Sequence, residues 1–194
     1  MCTICRQIDL GFTQERYPEG VHMCFVFRDE AERRAVVADF VAGGIRTGEA
    51  VRYYADSASV DDVDRWLAEH DVDISPALET RPARDAYYPE GTFDPDAMCD
   101  RLRSSYQAIR DSGFISGRVS GEMSWALREV SGADRIIEYE RKVNQVMSTH
   151  PLTAMCQYDA NRFSGDVIFA ALRVHPYMVM DRHLVRNPYY QRGA

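Results

Sequence analysis

Residues 21–56 read as a strand, a helix and a second strand, the opening of a nucleotide-binding type of α/β protein, yet they lack the residues that hold phosphate. A triphosphate site places glycines and then Gly-Lys-Ser/Thr between the first strand and the first helix, so that backbone N–H groups and one lysine surround the phosphates. Here the strand Val21-His22-Met23-Cys24-Phe25-Val26-Phe27 runs into Arg28-Asp29-Glu30-Ala31-Glu32. Carboxylates at a helix start suit the macrodipole and repel a phosphate. The lone lysine, Lys142, follows no glycine loop, so a Walker-type ATPase is excluded on chemistry.

The rest of the chain continues the alternation. Residues 28–45 form an amphipathic pattern ended by glycines, and residues 50–55 a strand. Ser59 caps a helix to about His70; residues 76–90 are irregular, with a short strand and a loop. Asp94-Pro95 opens a helix to Ser112-Gly113, residues 114–120 read as a strand, and Gly121-Glu122-Met123-Ser124-Trp125 turns the chain at its carboxyl end. A helix over 133–149, a strand over 152–156, a helix capped by Ser164 and a last strand over 176–180 complete the pattern. Strands alternating with helices predict an α/β fold, a three-layer sandwich with a mainly parallel sheet and no P-loop.

Particular segments carry a family resemblance. They are Gly20 through Phe27, Phe40-Val41-Ala42-Gly43-Gly44-Ile45-Arg46-Thr47-Gly48-Glu49, Gly91-Thr92-Phe93-Asp94-Pro95, Arg118 through Trp125, Ile137-Glu138-Tyr139-Glu140, Cys156-Gln157-Tyr158-Asp159 and Asn187-Pro188-Tyr189-Tyr190. Together they make the chain resemble the MEDS family, the methanogen/methylotroph DcmR-type sensory domain, over about residues 18–190. The resemblance implies a RecA/KaiC-like fold without ATPase motifs and a role in sensing small molecules, such as hydrocarbon derivatives, within signalling and transcription proteins. Residues 1–194 are then one domain, an α/β core over 18–190 behind a CxxC-bearing extension over 1–17.

A hydrophobic fraction of 45% and a charged fraction of 27% are ordinary for a globular protein. A formal charge of −7 with dispersed arginines disfavours direct nucleic-acid or anionic-membrane binding. Apolar runs fall short of the roughly 18–20 residues of a membrane helix, and the polar start is no signal peptide, so a cytoplasmic location is expected.

In an open parallel sheet, ligands bind beyond the carboxyl ends of the strands. The residues expected there are Phe27, Tyr53, Tyr54, Arg118, Glu122, Met123, Trp125, Gln157 and Tyr158. This aromatic set with a few orienting groups suits a small, mostly apolar ligand; the same aromatics also suit a half-buried core. Glu122 suits three roles: capping the following helix, pairing with Arg118, or bonding a ligand. Glu138 and Glu140, two apart on a helix, point in different directions and read as structural rather than as a catalytic pair.

Five cysteines in a chain without an export signal are expected as thiols. Cys2-Thr3-Ile4-Cys5 has the spacing of half a zinc or iron–sulfur site, and His22 and Cys24 share one strand face, so a Cys₃His zinc or iron site from Cys2, Cys5, His22 and Cys24 is the metal alternative. Cys99 and Cys156 read as core thiols, and His70, His150, His175 and His183 match no metal motif. No Gly-x-Ser-x-Gly elbow or other catalytic constellation is present, so the expectation is a non-enzyme without a required cofactor. The leading reading is a cytoplasmic signal-input domain that binds a small molecule and acts on an output partner in trans, whether a kinase, an anti-sigma factor or a DNA-binding regulator, with a homodimer compatible. The alternative is a metal- or redox-responsive regulator built on the CxxC and His-x-Cys pairs.

Overall fold

A computed structural model of the chain describes residues 6–192. Two short strands, β1 (Gln7–Asp9) and β2 (Arg16–Pro18), pair antiparallel and precede the main sheet. The alternating unit follows: β3 (His22–Phe27), α1 (Glu30–Arg46), β4 (Ala50–Ala55), α2 (Val60–Glu69), β5 (Leu78–Pro82), α3 (Ala83–Tyr87), α4 (Pro95–Asp111) and β6 (Gly117–Glu122). After 3₁₀ turns at Met123–Leu127 and Ala133–Arg135 come α5 (Ile136–Thr149), β7 (Thr153–Asp159), α6 (Gly165–Val174), β8 (Tyr177–Met180) and β9 (His183–Arg186).

The seven-stranded sheet has the order β5-β4-β6-β7-β3-β8-β9, parallel throughout except for the antiparallel pair β8–β9. Helices α1 and α2 pack with one face around Met23, Phe25, Val51 and Met155. Helices α3 to α6 cover the other face around Cys24, Val119, Ala154 and Cys156. This is the expected three-layer α/β sandwich, and its central strands alternate between two apolar layers because both faces are covered.

Several boundaries differ from the sequence reading, for physical reasons. β6 starts at Gly117 rather than residue 114, and it ends later than residue 120 because Gly121 continues the strand: a Cβ there would sit 2.0 Å from the Tyr87 hydroxyl, so the glycine admits close packing rather than making a turn. β7 extends to Asp159, since its register on β3 pairs Cys24 with Cys156 and Phe27 with Asp159. The irregular stretch 76–90 contains α3 as well as β5. The last strand is β9, not residues 176–180, and residues 6–18 contribute a hairpin whose Ile8 joins the α1-side core. No helix among the described residues is long and apolar enough to cross a membrane.

Candidate functional site

The chain leaves the carboxyl end of β3 toward α1 on one face and leaves the adjacent β7 toward α6 on the other. Divergence of neighbouring connections opens a crevice at that point, the usual ligand position in such sheets. A cleft of about 50 Å³ lies there, lined by residues including Phe27 of β3, Glu122 of β6, Gln157 and Asp159 of β7, Arg33 of α1 and Ser57. Its volume suits one or two water-sized groups, given about 30 Å³ per water in the liquid. The lining is polar rather than aromatic.

Arg33 forms the floor. It is 2% exposed, and its Nη1 donates to Tyr53 Oη at 2.8 Å, Gln157 Oε1 at 3.0 Å and Glu122 Oε1 at 3.2 Å. Its outer edge binds Glu30 through Nε at 2.7 Å and Nη2 at 2.5 Å. Burial lowers the Arg33 pKa, but Tyr53, Glu30 and Glu122 outweigh it and the net shift is upward. Glu122 Oε1 also accepts from Tyr53 Oη at 2.5 Å, and its Oε2 accepts the backbone N–H groups of Asp56 at 3.0 Å and Ser57 at 2.6 Å. Burial, followed by the Glu122 charge, pushes the Tyr53 hydroxyl well above the ordinary phenol range. Gln157 Nε2 completes the network on Ser120 Oγ at 2.9 Å.

The start of α1, where a related site would bind phosphate, is occupied by the chain itself: Asp29 Oδ1 accepts from Glu32 N at 2.8 Å. The cleft offers the charged side chains of Glu30, Asp159, Arg33 and Arg162 in place of free N–H groups.

The structure distributes the residues expected from sequence differently. Phe27, Glu122 and Gln157 line the cleft, and Tyr53 lies against Glu122 beneath it. Tyr54 points to the opposite face, into a groove with Arg52 and Asp85. Arg118, second residue of β6, lies toward the amino ends of the strands and pairs with Glu49, not with Glu122. Met123 and Trp125 are fully buried; Trp125 packs against Tyr87 and Phe93 at centroid distances of 4.9 and 4.7 Å. Tyr158 faces the α5 side and donates to Glu140 Oε1 at 2.7 Å. Glu30, Arg33, Ser57 and Arg162 are the cleft residues that the sequence reading passes over.

A second buried polar centre lies on that α5 face. His22 of β3, Glu140 of α5, Cys156 of β7 and His175 after α6 bring one donor atom each within 4.8 Å of one another. His22 Nε2 is 3.2 Å from Glu140 Oε2 and 3.4 Å from Cys156 Sγ, and the thiol donates to Glu140 Oε2 at 3.3 Å. Burial alone would raise the Glu140 pKa, but the His175 and His22 imidazoles outweigh it and hold the carboxyl well below its ordinary range. Burial, with His175 adding to it, pushes His22 down; burial and Glu140 push the Cys156 thiol up. Of the metal set expected from sequence, His22 belongs to this cluster and Cys24 is a buried thiol on the same strand face, while Cys2 and Cys5 lie outside the described residues.

A parallel sheet covered on both faces, a cleft at its switch point and a helix start closed by its own aspartate define a RecA/KaiC-like domain without a phosphate loop. Solved structures agree on the fold. A KaiC-like protein of Pyrococcus horikoshii OT3 superposes with a TM-score of 0.66 at 16% identity, covering 90% of this chain and 80% of that one. The flagellar accessory protein FlaH of Methanocaldococcus jannaschii gives 0.55 at 10% identity, over 93% and 84% of the two chains. The chain belongs to the MEDS family, the methanogen/methylotroph, DcmR sensory domain, which it matches over residues 21–176. It is also 24% identical over 155 residues to the transcriptional repressor DcmR of Methylorubrum extorquens, a match that takes in 79% of this chain and 57% of the repressor, just over half its length.

Proposed function

We propose that this domain is a non-catalytic sensory input unit: a small molecule with a hydrogen-bonding group enters the switch-point cleft, and the buried Arg33–Glu122 network passes its occupancy to an output partner that regulates transcription or signalling. The observation that carries this reading is the placement of Arg33 Nη1, shared among Tyr53, Gln157 and Glu122 at the floor of an opening. A ligand group that bonds Arg33 or Glu122 competes with these contacts. Glu122 holds the Asp56 and Ser57 amides, and Ser124 Oγ donates to Asp56 Oδ2 at 2.7 Å, so a ligand at this point acts on the segment that leads into α2.

Coupling of this kind is on the order of 1–3 kcal/mol, which shifts a regulator by about 5- to 150-fold. Both Glu122 oxygens are already engaged by Tyr53, Arg33 and backbone N–H groups, which supports a reporter rather than a general base. The family match and the likeness to a repressor support the regulatory role.

Thermal denaturation with a panel of short-chain alcohols, amides, carboxylic acids and alkyl halides tests the reading. Ser57 is exposed at the cleft, so Ser57→Trp should block entry while changing apo stability by only about 0.5 kcal/mol. Compounds that raise the melting temperature of the unsubstituted protein should lose that effect in the variant. Equal stabilisation of both proteins rules the cleft out.

A further inference from the structure

We propose that His22, Glu140, Cys156 and His175 form a closed binding site for a tetrahedral divalent metal, with zinc as the favoured ion. The site is separate from the switch-point cleft and stands whether or not that cleft takes a ligand. Each side chain presents one donor atom to a common centre: Nε2 of both histidines, Sγ of Cys156 and Oε2 of Glu140. Bonds of about 2.0–2.3 Å to a tetrahedral zinc set donor separations of about 3.3–3.8 Å. Four of the six separations, 3.2 Å for His22–Glu140, 3.4 Å for His22–Cys156, 3.3 Å for Cys156–Glu140 and 3.5 Å for His175–Glu140, need little adjustment, and the two from His175 to His22 and to Cys156 lie within 4.8 Å.

The hydrogen bonds around the donors fix their orientation. Asn144 Nδ2 donates to Val174 O at 2.7 Å, which turns its Oδ1 toward His22 Nδ1 at 3.1 Å; that nitrogen must therefore carry the proton. His175 Nδ1 donates to Ala171 O at 2.8 Å. When neutral, both rings thus direct an Nε2 lone pair inward, the arrangement that outer partners impose on metal-binding histidines. Tyr158 holds the remaining oxygen of Glu140.

The proton count then falls short. Among these side chains only the Cys156 S–H is left to point inward, and it donates to Glu140. His175 Nε2 is fully buried with no hydrogen-bond partner. A buried lone pair facing a carboxylate is costly, and a cation at the centre satisfies all four donors together. On binding, the thiol proton passes to solvent, and thiolate plus carboxylate balance the divalent charge, which leaves a neutral buried site. Mixed N, S and O donors in tetrahedral array favour zinc. A groove of about 610 Å³ has His22 and Asn144 in its wall and opens beside the closed centre on that side.

The test uses chelator-stripped full chain loaded with cobalt(II), then displaced by zinc. The expected result is a single ion per chain, intense tetrahedral d–d absorption, a thiolate-to-cobalt charge-transfer band, and a raised melting temperature. Cys2→Ser with Cys5→Ser should retain all of these, Cys156→Ser should lose the charge-transfer band, and Asn144→Ala should weaken affinity by about 10–100-fold. Failure to take up metal, binding abolished by the Cys2/Cys5 substitutions, or a charge-transfer band that survives Cys156→Ser overturns the assignment.

Discussion

Glu122→Ala should cost about 3–5 kcal/mol of unfolding free energy, because removing one member of a buried ion pair leaves the other uncompensated. Arg33, 2% exposed, would keep only Glu30 as a charged partner among the described residues, and the Asp56 and Ser57 amides would lose their acceptor. For a domain of this size the loss corresponds to a melting temperature lower by on the order of 10 °C. Arg33→Met combined with Glu122→Leu should recover much of it, since an apolar pair replaces the buried charges. Urea denaturation of the two variants checks this. A Glu122→Ala midpoint close to that of the unsubstituted protein would mean that the network does not hold the cleft together.

Arg118→Met should be destabilising to a similar degree, about 3–5 kcal/mol, for a reason unrelated to ligand. Arg118 is fully buried; its guanidinium binds Glu49, donates to Phe40 O at 2.9 Å and to Asp9 O, and so ties the β1–β2 hairpin and α1 to β6. Its loss leaves Glu49, 1% exposed, paired only with Arg6 among the described residues. Stability of Arg118→Met should therefore fall, while compounds that stabilise the unsubstituted protein still stabilise the variant. If ligand response vanished with stability intact, Arg118 would belong to the ligand site after all.

These two arginines mark what the sequence makes legible. Chain-local features are readable: Ser59, Asp94 and Ser164 each stand where a cap is expected, and each accepts a backbone N–H from three residues on, as does Asp29, which the sequence reading places inside the helix it caps. Helix and strand alternation yields the layers for the same reason. Register is different, because it depends on contacts far apart in the chain. Cys156 lies opposite Cys24 and near His22 only once β7 is paired with β3, and no spacing in the sequence brings His175 to them. β9 and the β1–β2 hairpin are strands of four and three residues, too short for alternation to declare itself.

One further signal is available in the sequence. Arg33 precedes Val36, Val37, Phe40 and Val41 on the apolar stripe of α1, and Glu140 sits between Ile136 and Val143 on that of α5. A charge in register with an apolar stripe is buried with its helix face, so it needs partners inside the protein. The switch-point cleft and the His22–Glu140 cluster are each anchored by such a residue. Trp125, by contrast, is an aromatic beyond a strand end that serves the core, because α3 supplies Tyr87 to stack on it.

The most direct measurement is a series of ¹H–¹⁵N correlation spectra of the labelled chain, titrated with the short-chain panel. An active compound should shift the amides of Asp56, Ser57 and Ser124 and the Arg33 side-chain N–H first, the groups around the switch-point cleft. Shifts confined to the groove by Arg52 and Asp85 or to the groove beside His22, with those amides unmoved, would contradict it.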